Sequence, residues 1–240
     1  MLWLGIDDTD MLETLGTNKL ALHVASVMPP ELSVQIIVRH QLLIDPRVPY
    51  TSHNGCVSLR IDGPLKIAVG DLAARLRPII VDWCPVGSDP GVCIADNVPD
   101  EVTQFGLLCQ TDVVNQRTAR TLAANHGLYL ESFGGTGDGV IGAVAAVGLL
   151  ATQNDGRIIH RGNKRPHWSD ITGSQNVSDL LDWGVAEIRC LTTSRRVEHG
   201  KVTLSKRLRP NLRAGQAVLY VAPISMDEFS GAEWHAVKVV

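Results

Sequence analysis

LWLGIDDTD, at Leu2–Asp10, decides how the chain begins: an apolar strand runs directly into three carboxylates. Two like charges about 4 Å apart repel each other by roughly 4 kcal/mol at an effective dielectric constant of about 20. Protonation of one carboxyl or a bound divalent cation relieves that repulsion. Asp7, Asp8 and Asp10 therefore predict a magnesium site. The alternative is an Asp-rich turn whose carboxylates point into water.

Composition is that of an ordinary globular protein, with 45% hydrophobic and 20% charged residues in a chain of 240, which allows one large domain or two small ones. Charge is uneven, because residues 1–156 carry 17 acidic and 9 basic side chains and residues 157–240 carry 8 and 13. The acidic part is expected to need cations. The basic part either meets a phosphate-bearing substrate or forms a solvated surface of mixed charge.

The cysteine content and the hydropathy of the chain indicate the cellular compartment to expect. The five cysteines are widely spaced and include no CxxC pair, which favours neither a zinc ribbon nor a disulfide framework. The N-terminus lacks the pattern of a signal peptide, and the longest apolar stretch, 140–151, is shorter than the roughly 20 residues of a membrane span. We expect a cytoplasmic protein without a membrane partner.

Hydrophobic patterning predicts a mixed α+β (α/β) protein built on a mixed sheet. The predicted strands are 2–6, 34–43, 56–61, 157–160, 187–193, 201–204, 217–222 and 234–240. The predicted helices are 17–28, 65–76, 100–109, 111–125 and 140–149, the last one buried because its residues are small and apolar throughout. Residues 82–100, rich in Pro, Gly and Asp, predict an irregular connection.

A second candidate functional segment is GGTGDG at 134–139, directly before the small-residue helix. Glycine lets the backbone approach a phosphate, and a helix N-terminus offers amide donors and a favourable dipole. Gly134, Gly135, Thr136, Gly137, Asp138 and Gly139 therefore form a candidate phosphate cradle. The alternative is a tight turn that lets the helix pack.

Another class with carboxylates after its first strand is the haloacid-type phosphatase. Its D-x-D-x-(T/V) pattern would require Thr or Val at the position of Leu12, and its loops differ from 134–139. The acidic cluster and the glycine loop together favour a metal–nucleotide site instead.

The opening also resembles a known family. GIDDTD at 5–10 followed by GTNKLA at 16–21 is similar to the start of the agmatidine synthetases, which modify the wobble cytidine of an isoleucine tRNA. DPRVPYT at 45–51 with Asn54 and Gly55 resembles the family's N-P-x-x-P-Y-K-T…G-N-G segment, and 137–148 resembles a helix start of the same family.

The resemblance implies an ATP-using catalytic domain with an unusual kinase-like fold, in which phosphorylation activates the cytosine C2 carbonyl oxygen for displacement by agmatine. It implies a phosphate-handling role for Thr17 and a magnesium-organising role for Asp7, Asp8 and Asp10. Thr9 and the loop 134–139 would contact the nucleotide. Tyr50, Asn54 and Gly55 would line the acceptor side.

The chain also departs from that family. It has too few residues after position 156 for the family's OB-type module and zinc ribbon, and Asn18 replaces the second Thr of the family's Cys-Thr-Thr. We therefore expect a shorter, stand-alone relative. Its nucleotide-binding catalytic domain would comprise 1–61 plus 129–240, with 62–128 as an inserted α/β subdomain.

The expected function is ATP- and Mg²⁺-dependent phosphoryl transfer, of a kinase- or ligase-like transferase kind. The acceptor would be a carbonyl or hydroxyl of a nucleoside, an RNA or a small molecule. The alternative is a non-catalytic module that binds a nucleotide or RNA and keeps the fold.

Overall fold

A computed structural model describes residues 1–50, 53–63, 68–162, 166–227 and 231–239. The chain forms two compact units, unit 1 at Met1–Thr152 and unit 2 at Gln153–Val240. The elements of unit 1 are, in chain order, β1 (Leu2–Asp7), α1 (Thr17–Ser26), β2 (Ser33–Arg39), β3 (Val57–Asp62), α2 (Val69–Trp83), β4 (Gly91–Ala95), α3 (Asp100–Thr111), α4 (Gln116–Asn125), β5 (Tyr129–Ser132) and α5 (Gly139–Ala151).

Unit 1 is organised around an antiparallel sheet in the order β5-β4-β1-β3-β2. In β1, Leu4 and Ile6 are fully buried on one face and Gly5 is buried on the other, as expected for a central strand that is covered on both faces. Helix α1 contacts β1, β2 and β3, and α2 contacts β4 and β5. Because β1 is the central strand, the acidic segment that follows it begins at one end of the sheet, midway across its width.

Helix α5 is the main packing element of unit 1. It contacts β1, β4 and α3, and all but a few of its residues are buried. A methyl group at Gly5 would lie 3.0 Å from the carbonyl carbon of Ala143 and closer still to its oxygen. Glycine in β1 thus lets the backbone of α5 rest directly on the sheet. The predicted burial of this small-residue helix is confirmed.

Unit 2 contains β6 (Arg157–His160), a 3₁₀ turn (Trp168–Asp170), β7 (Gly173–Asn176), α6 (Val177–Asp182), β8 (Glu187–Cys190), β9 (Lys201–Leu204), β10 (Asn211–Arg213), β11 (Gln216–Asp227) and β12 (Ala232–Ala236). Its strands follow the order β6-β10-β11-β12-β9-β7, and β8 pairs with β11. The β8–β11 and β9–β12 pairs are parallel, whereas β11 is antiparallel to β10 and β12. This pairing is mixed, and the predicted mixed α+β class is confirmed.

The prediction of an irregular connection at 82–100 is wrong at β4. All five residues of β4 are buried, so the strand lacks the alternation that marks a half-buried strand. Its neighbours β1 and β5 determine its conformation. The predicted helix at 65–76 begins at residues 65–67, which lie outside the described residues. Helix α2 begins at Val69 and continues through Pro78.

The boundary between the units also differs from the expected domain boundaries at 61/62 and 128/129. Within 62–128, β4 pairs with β1 and β5, and α3 packs on α5, so these residues belong to the same compact unit as β1. In the part of the chain that the structure describes, no helix is long and apolar enough to span a bilayer.

Candidate functional site

The acidic segment turns sharply as it leaves β1. Asp7 is the last residue of the strand, and Asp8 has φ of 52°, in the left-handed region that Asp tolerates better than most residues. The carbonyl oxygen of Asp8 accepts a hydrogen bond from the Asp89 amide at 3.2 Å. This bond ties the acidic segment to the residues just before β4.

Asp7 points toward α5 rather than into water. A methyl group at Gly142 would lie 2.9 Å from Asp7 Cβ and closer still to Cγ and Oδ2, so the carboxylate occupies the space that a side chain at position 142 would need. Burial, and next the charge of Asp8, raise the pKa of Asp7 to about 8. Asp7 is therefore a half-buried carboxyl whose environment favours the protonated form.

Asp8 is the focus of repulsion between carboxylates. Burial is the main cause that raises its pKa to about 6, and the charges of Asp89, Asp10 and Asp138 follow. Burial also raises the pKa of Asp10, against the lowering effect of hydrogen bonds from Thr17. Carboxylates from three separate parts of unit 1 thus converge.

Thr17 is held by the acidic segment at the start of α1. It is the first residue of α1, after the N-cap Gly16, and its side chain is buried. Its hydroxyl accepts a hydrogen bond from the Thr9 hydroxyl at 3.1 Å and donates to Asp10 Oδ1 at 3.3 Å. Thr9, fully buried, fixes the position of the Thr17 hydroxyl relative to Asp10.

The glycine loop, residues 134–139, closes around Asp89. Thr136 N, Gly137 N and Asp138 N donate hydrogen bonds to the Asp89 carboxylate at 3.1, 2.8 and 3.0 Å, and the Thr136 hydroxyl donates at 2.6 Å. The loop does present converging amide donors, as its composition predicts. In this structure the anion that accepts from them is a side chain of the protein itself.

Helix α4 braces the other side of the loop. The Gln116 side-chain amide donates to Thr136 O at 3.0 Å and to Asp138 Oδ1 at 2.9 Å. Gln116 Oε1 in turn accepts from Arg120 Nε at 2.9 Å. This chain of hydrogen bonds orients the Asp138 carboxylate.

A cavity of about 820 Å³ in unit 1 brings most of the predicted site residues together. This volume is within the range of small-molecule sites. Its lining combines acidic residues (Asp7, Asp8, Asp89, Asp112 and Asp138), two arginines (Arg47 and Arg117) and apolar residues (Leu42, Leu43, Val48, Val113, Val114 and Ile141). The predicted residues among its lining are Asp7, Asp8, Tyr50, Asn54, Gly135, Thr136, Asp138 and Gly139.

Asp10 and Thr17 do not belong to the lining of this cavity. They are connected to it through Asp8 and the acidic segment. Asn54 lines it, and the Asn54 side-chain amide donates to Leu43 O at 2.7 Å, which orders the loop before β3. A methyl group at Gly55 would lie 2.8 Å from His40 O, so Gly55 serves a close backbone approach. Thr51 of the family-like segment lies outside the described residues.

Sequence reasoning missed Asp89 and Gln116. The nearest signal for Asp89 is its position in Ser88-Asp89-Pro90-Gly91, immediately before a short apolar run. Its link to the loop spans 47 residues, so no local pattern shows it. Gln116 is 22 residues from Asp138 and has the sequence context of an ordinary surface residue at a helix start.

The donor set suits a hard divalent cation. Magnesium prefers oxygen ligands, and Asp7, Asp8 and Asp10 supply carboxylates whose mutual repulsion, increased by the charges of Asp89 and Asp138, a cation would relieve. Over the described ranges, no group of three or more His, Cys, Asp or Glu side chains is arranged so that it could hold a metal ion. The residues therefore fit the ion by donor type, not by their present arrangement.

Comparison with known proteins supports the resemblance seen in the opening residues. No family model matches the chain. TiaS of Cenarchaeum symbiosum (strain A), a 2-agmatinylcytidine synthetase that acts on an isoleucine tRNA, is 28% identical over 191 residues, which cover 72% of this chain and 41% of the synthetase.

Solved structures of TiaS agree with that similarity. The complex of TiaS with its isoleucine tRNA and ATP matches with a TM-score of 0.54 and 26% identity, and the complex with that tRNA, AMPCPP and agmatine matches with 0.53 and 25%. Each match covers 61% of this chain and 36% of the TiaS chain. The chain thus spans well under half the length of the relatives it matches. The predicted resemblance to the agmatidine synthetases is confirmed in sequence and in fold, over the N-terminal part.

Proposed function

We propose that this chain is an ATP- and magnesium-dependent enzyme that transfers a phosphoryl group to an RNA, nucleoside or small-molecule acceptor. The observation that carries the proposal is the shared cavity: two carboxylates at the end of β1 and the glycine loop before α5 face the same space. The relatives support the nucleotide, since TiaS has been solved with ATP and with AMPCPP, and support an RNA acceptor, since both complexes contain tRNA.

Each predicted residue then has a physical role. Asp7, Asp8 and Asp10 hold the metal ion, whose charge neutralises phosphate oxygens during transfer. The loop 134–139 positions the phosphates, and the fully buried Thr9 acts on the site through its hydrogen bond to the Thr17 hydroxyl. Thr17 handles the transferred group, and its hydroxyl already donates to Asp10, a carboxylate suited to hold its proton.

The apolar part of the lining would take the acceptor. Tyr50 and Asn54 line the same cavity as the apolar side chains Leu42, Leu43 and Val48. An apolar wall with a few polar groups suits a planar, weakly polar ring such as a nucleobase. Gly55 contributes by letting the backbone that carries Asn54 approach β2.

Thermal unfolding tests the proposal directly, with ATP or ADP and with or without magnesium. A ligand at 100 times its dissociation constant stabilises a folded protein by about 2.7 kcal/mol. We expect a magnesium-dependent rise in Tm with ATP that Asp8→Asn abolishes. The exposed Asp96, just after β4, gives the matched control Asp96→Asn, which should keep the full rise.

Turnover separates the enzyme from the alternative. With labelled ATP and tRNA or nucleoside acceptors, transfer or release of the γ-phosphate that depends on Asp8 supports catalysis. Magnesium-dependent ATP binding without turnover on any acceptor would instead favour a nucleotide-binding module that keeps the fold. No Tm shift under any condition would reject the nucleotide site itself.

A further inference from the structure

The Asp89 side chain already fills the anion position of the glycine loop. Asp89 Oδ2 accepts three hydrogen bonds, from Thr136 N, Thr136 Oγ1 and Asp138 N, and Oδ1 accepts from Gly137 N. An ionised carboxylate offers about four acceptor positions, so these bonds use its capacity. The three amides that converge on Asp89 are those a phosphate would use at this loop.

The loop is also shaped to the side chain. A methyl group at Gly135 would lie 2.7 Å from Asp89 Cγ, and one at Gly139 would lie 2.8 Å from Gly91 N and closer still to Asp89 O. Two of the loop glycines therefore have an internal reason to be glycine, namely the close passage of Asp89. The glycine pattern by itself does not require a bound phosphate.

A second contact holds Asp89 in place from the opposite direction. Its amide donates to Asp8 O at 3.2 Å, so the residue that fills the loop is tied to the acidic segment. Asp89 is only half-buried, Thr136 is exposed, and both line the cavity, so the contact between them borders open space.

We propose that Asp89 is a built-in occupant of the anion cradle formed by Thr136, Gly137 and Asp138, and that a phosphate group enters only as this carboxylate leaves. The inference rests on the proposed function for its biological meaning, but the competition is a property of the loop. A bare polyphosphate must displace a hydrogen-bonded carboxylate and remain beside its charge. Asp89 thus acts as an autoinhibitory contact that selects against free phosphate anions.

The test uses sodium tripolyphosphate in EDTA, with the full chain. Affinities are measured by calorimetry for wild type, Asp89→Ala, Asp89→Asn and the control Asp96→Ala. We expect Asp89→Ala to bind at least tenfold more tightly than wild type, Asp96→Ala to match wild type, and Asp89→Asn to lie between. Amide NMR signals of residues 136–138 should move on titration of Asp89→Ala.

Equal or weaker binding by a folded Asp89→Ala, or signals that move only elsewhere, would overturn the proposal. If Asp89→Ala does not fold, the same measurements are made on Asp89→Asn, which preserves the shape of the side chain, and their outcome decides the proposal. Magnesium–ATP binding by wild type is measured separately and reports on the proposed function. The tripolyphosphate result therefore does not depend on whether the natural ligand is a nucleotide.

Discussion

Replacing Gly142 with alanine places a methyl group where the Asp7 carboxylate lies. The new carbon would sit 2.9 Å from Asp7 Cβ and nearer to Cγ and Oδ2, whereas a real Cβ essentially never comes within 3.0 Å of another heavy atom. Neither side can yield easily, because Gly142 lies in buried α5 and Asp7 ends the central strand. The substitution should therefore displace the carboxylate or the helix.

The expected magnitude follows from two opposing effects. Alanine is favoured over glycine inside a helix by about 1 kcal/mol, while overpacking a core costs about 1–3 kcal/mol. Displacing a half-buried carboxyl adds to the cost. We expect Gly142→Ala to lower stability by about 1–2 kcal/mol, which at this size lowers Tm by roughly 2–8 °C. It should also weaken the magnesium–ATP effect on Tm.

Gly70→Ala is the matched control. Gly70 also lies in a helix, α2, but among the described residues nothing stands within 4 Å of a methyl group built there. This variant should be as stable as wild type or more stable. The double variant Gly142→Ala/Asp7→Ala removes the two closest clashing atoms, so it should recover part of the lost stability, giving a measurable coupling energy. A Gly142→Ala protein that keeps wild-type Tm and magnesium–ATP response would refute the reasoning.

Two further predictions concern the same segment. The pKa of Asp7 is raised from 3.8 to about 8, so the folded protein keeps a proton that the unfolded chain has released. Asp7 should therefore make the metal-free stability fall as pH rises from about 4 to 8, contributing at most about 1.4 kcal/mol per pH unit, and the raised pKa of Asp8 adds to the fall below about pH 6; urea unfolding in EDTA should show this fall, and Asp7→Asn should reduce it most clearly between about pH 6 and 8. Thr17→Val removes the hydroxyl that links Thr9 to Asp10 and should cost about 1–3 kcal/mol in the same assay, whereas Thr17→Ser should stay close to wild type. Equal stability of the two Thr17 variants would contradict the role assigned to that hydroxyl.

Local pattern was enough to predict the parts of the site that are local in sequence. Asp7 ends β1 and Asp8 follows it, and loop 134–139 leads directly into α5, so both were visible in the sequence. Their meeting in one cavity depends on β1 and β4 being neighbours, which places Asp89 between them. Because β4 is short and buried on both faces, it has no alternation of polar and apolar residues that would show this.

The same distinction applies to the glycine loop. Composition predicted amides that cradle a phosphate; in the structure these amides converge on the Asp89 carboxylate, and the phosphate stays a prediction. Which anion they bind depends on a residue 47 positions away, and on the bond between Asp89 N and Asp8 O that holds it. Long-range pairing of this kind is decided by tertiary packing and leaves no periodic trace.

Electrostatics explains why a divalent cation is the partner that suits this site. The amides and hydroxyl of the glycine loop satisfy Asp89, whereas Asp8 remains beside the charges of Asp89, Asp10 and Asp138, which help to raise its pKa to about 6. Ionising Asp7 as well costs stability, because burial favours its protonated form. A bound magnesium ion would reverse that preference by favouring the charged form, and so would release the proton. Under the proposed function, the carboxylates that make the metal-free fold less stable at neutral pH would therefore be the same groups that respond to a metal-bound nucleotide.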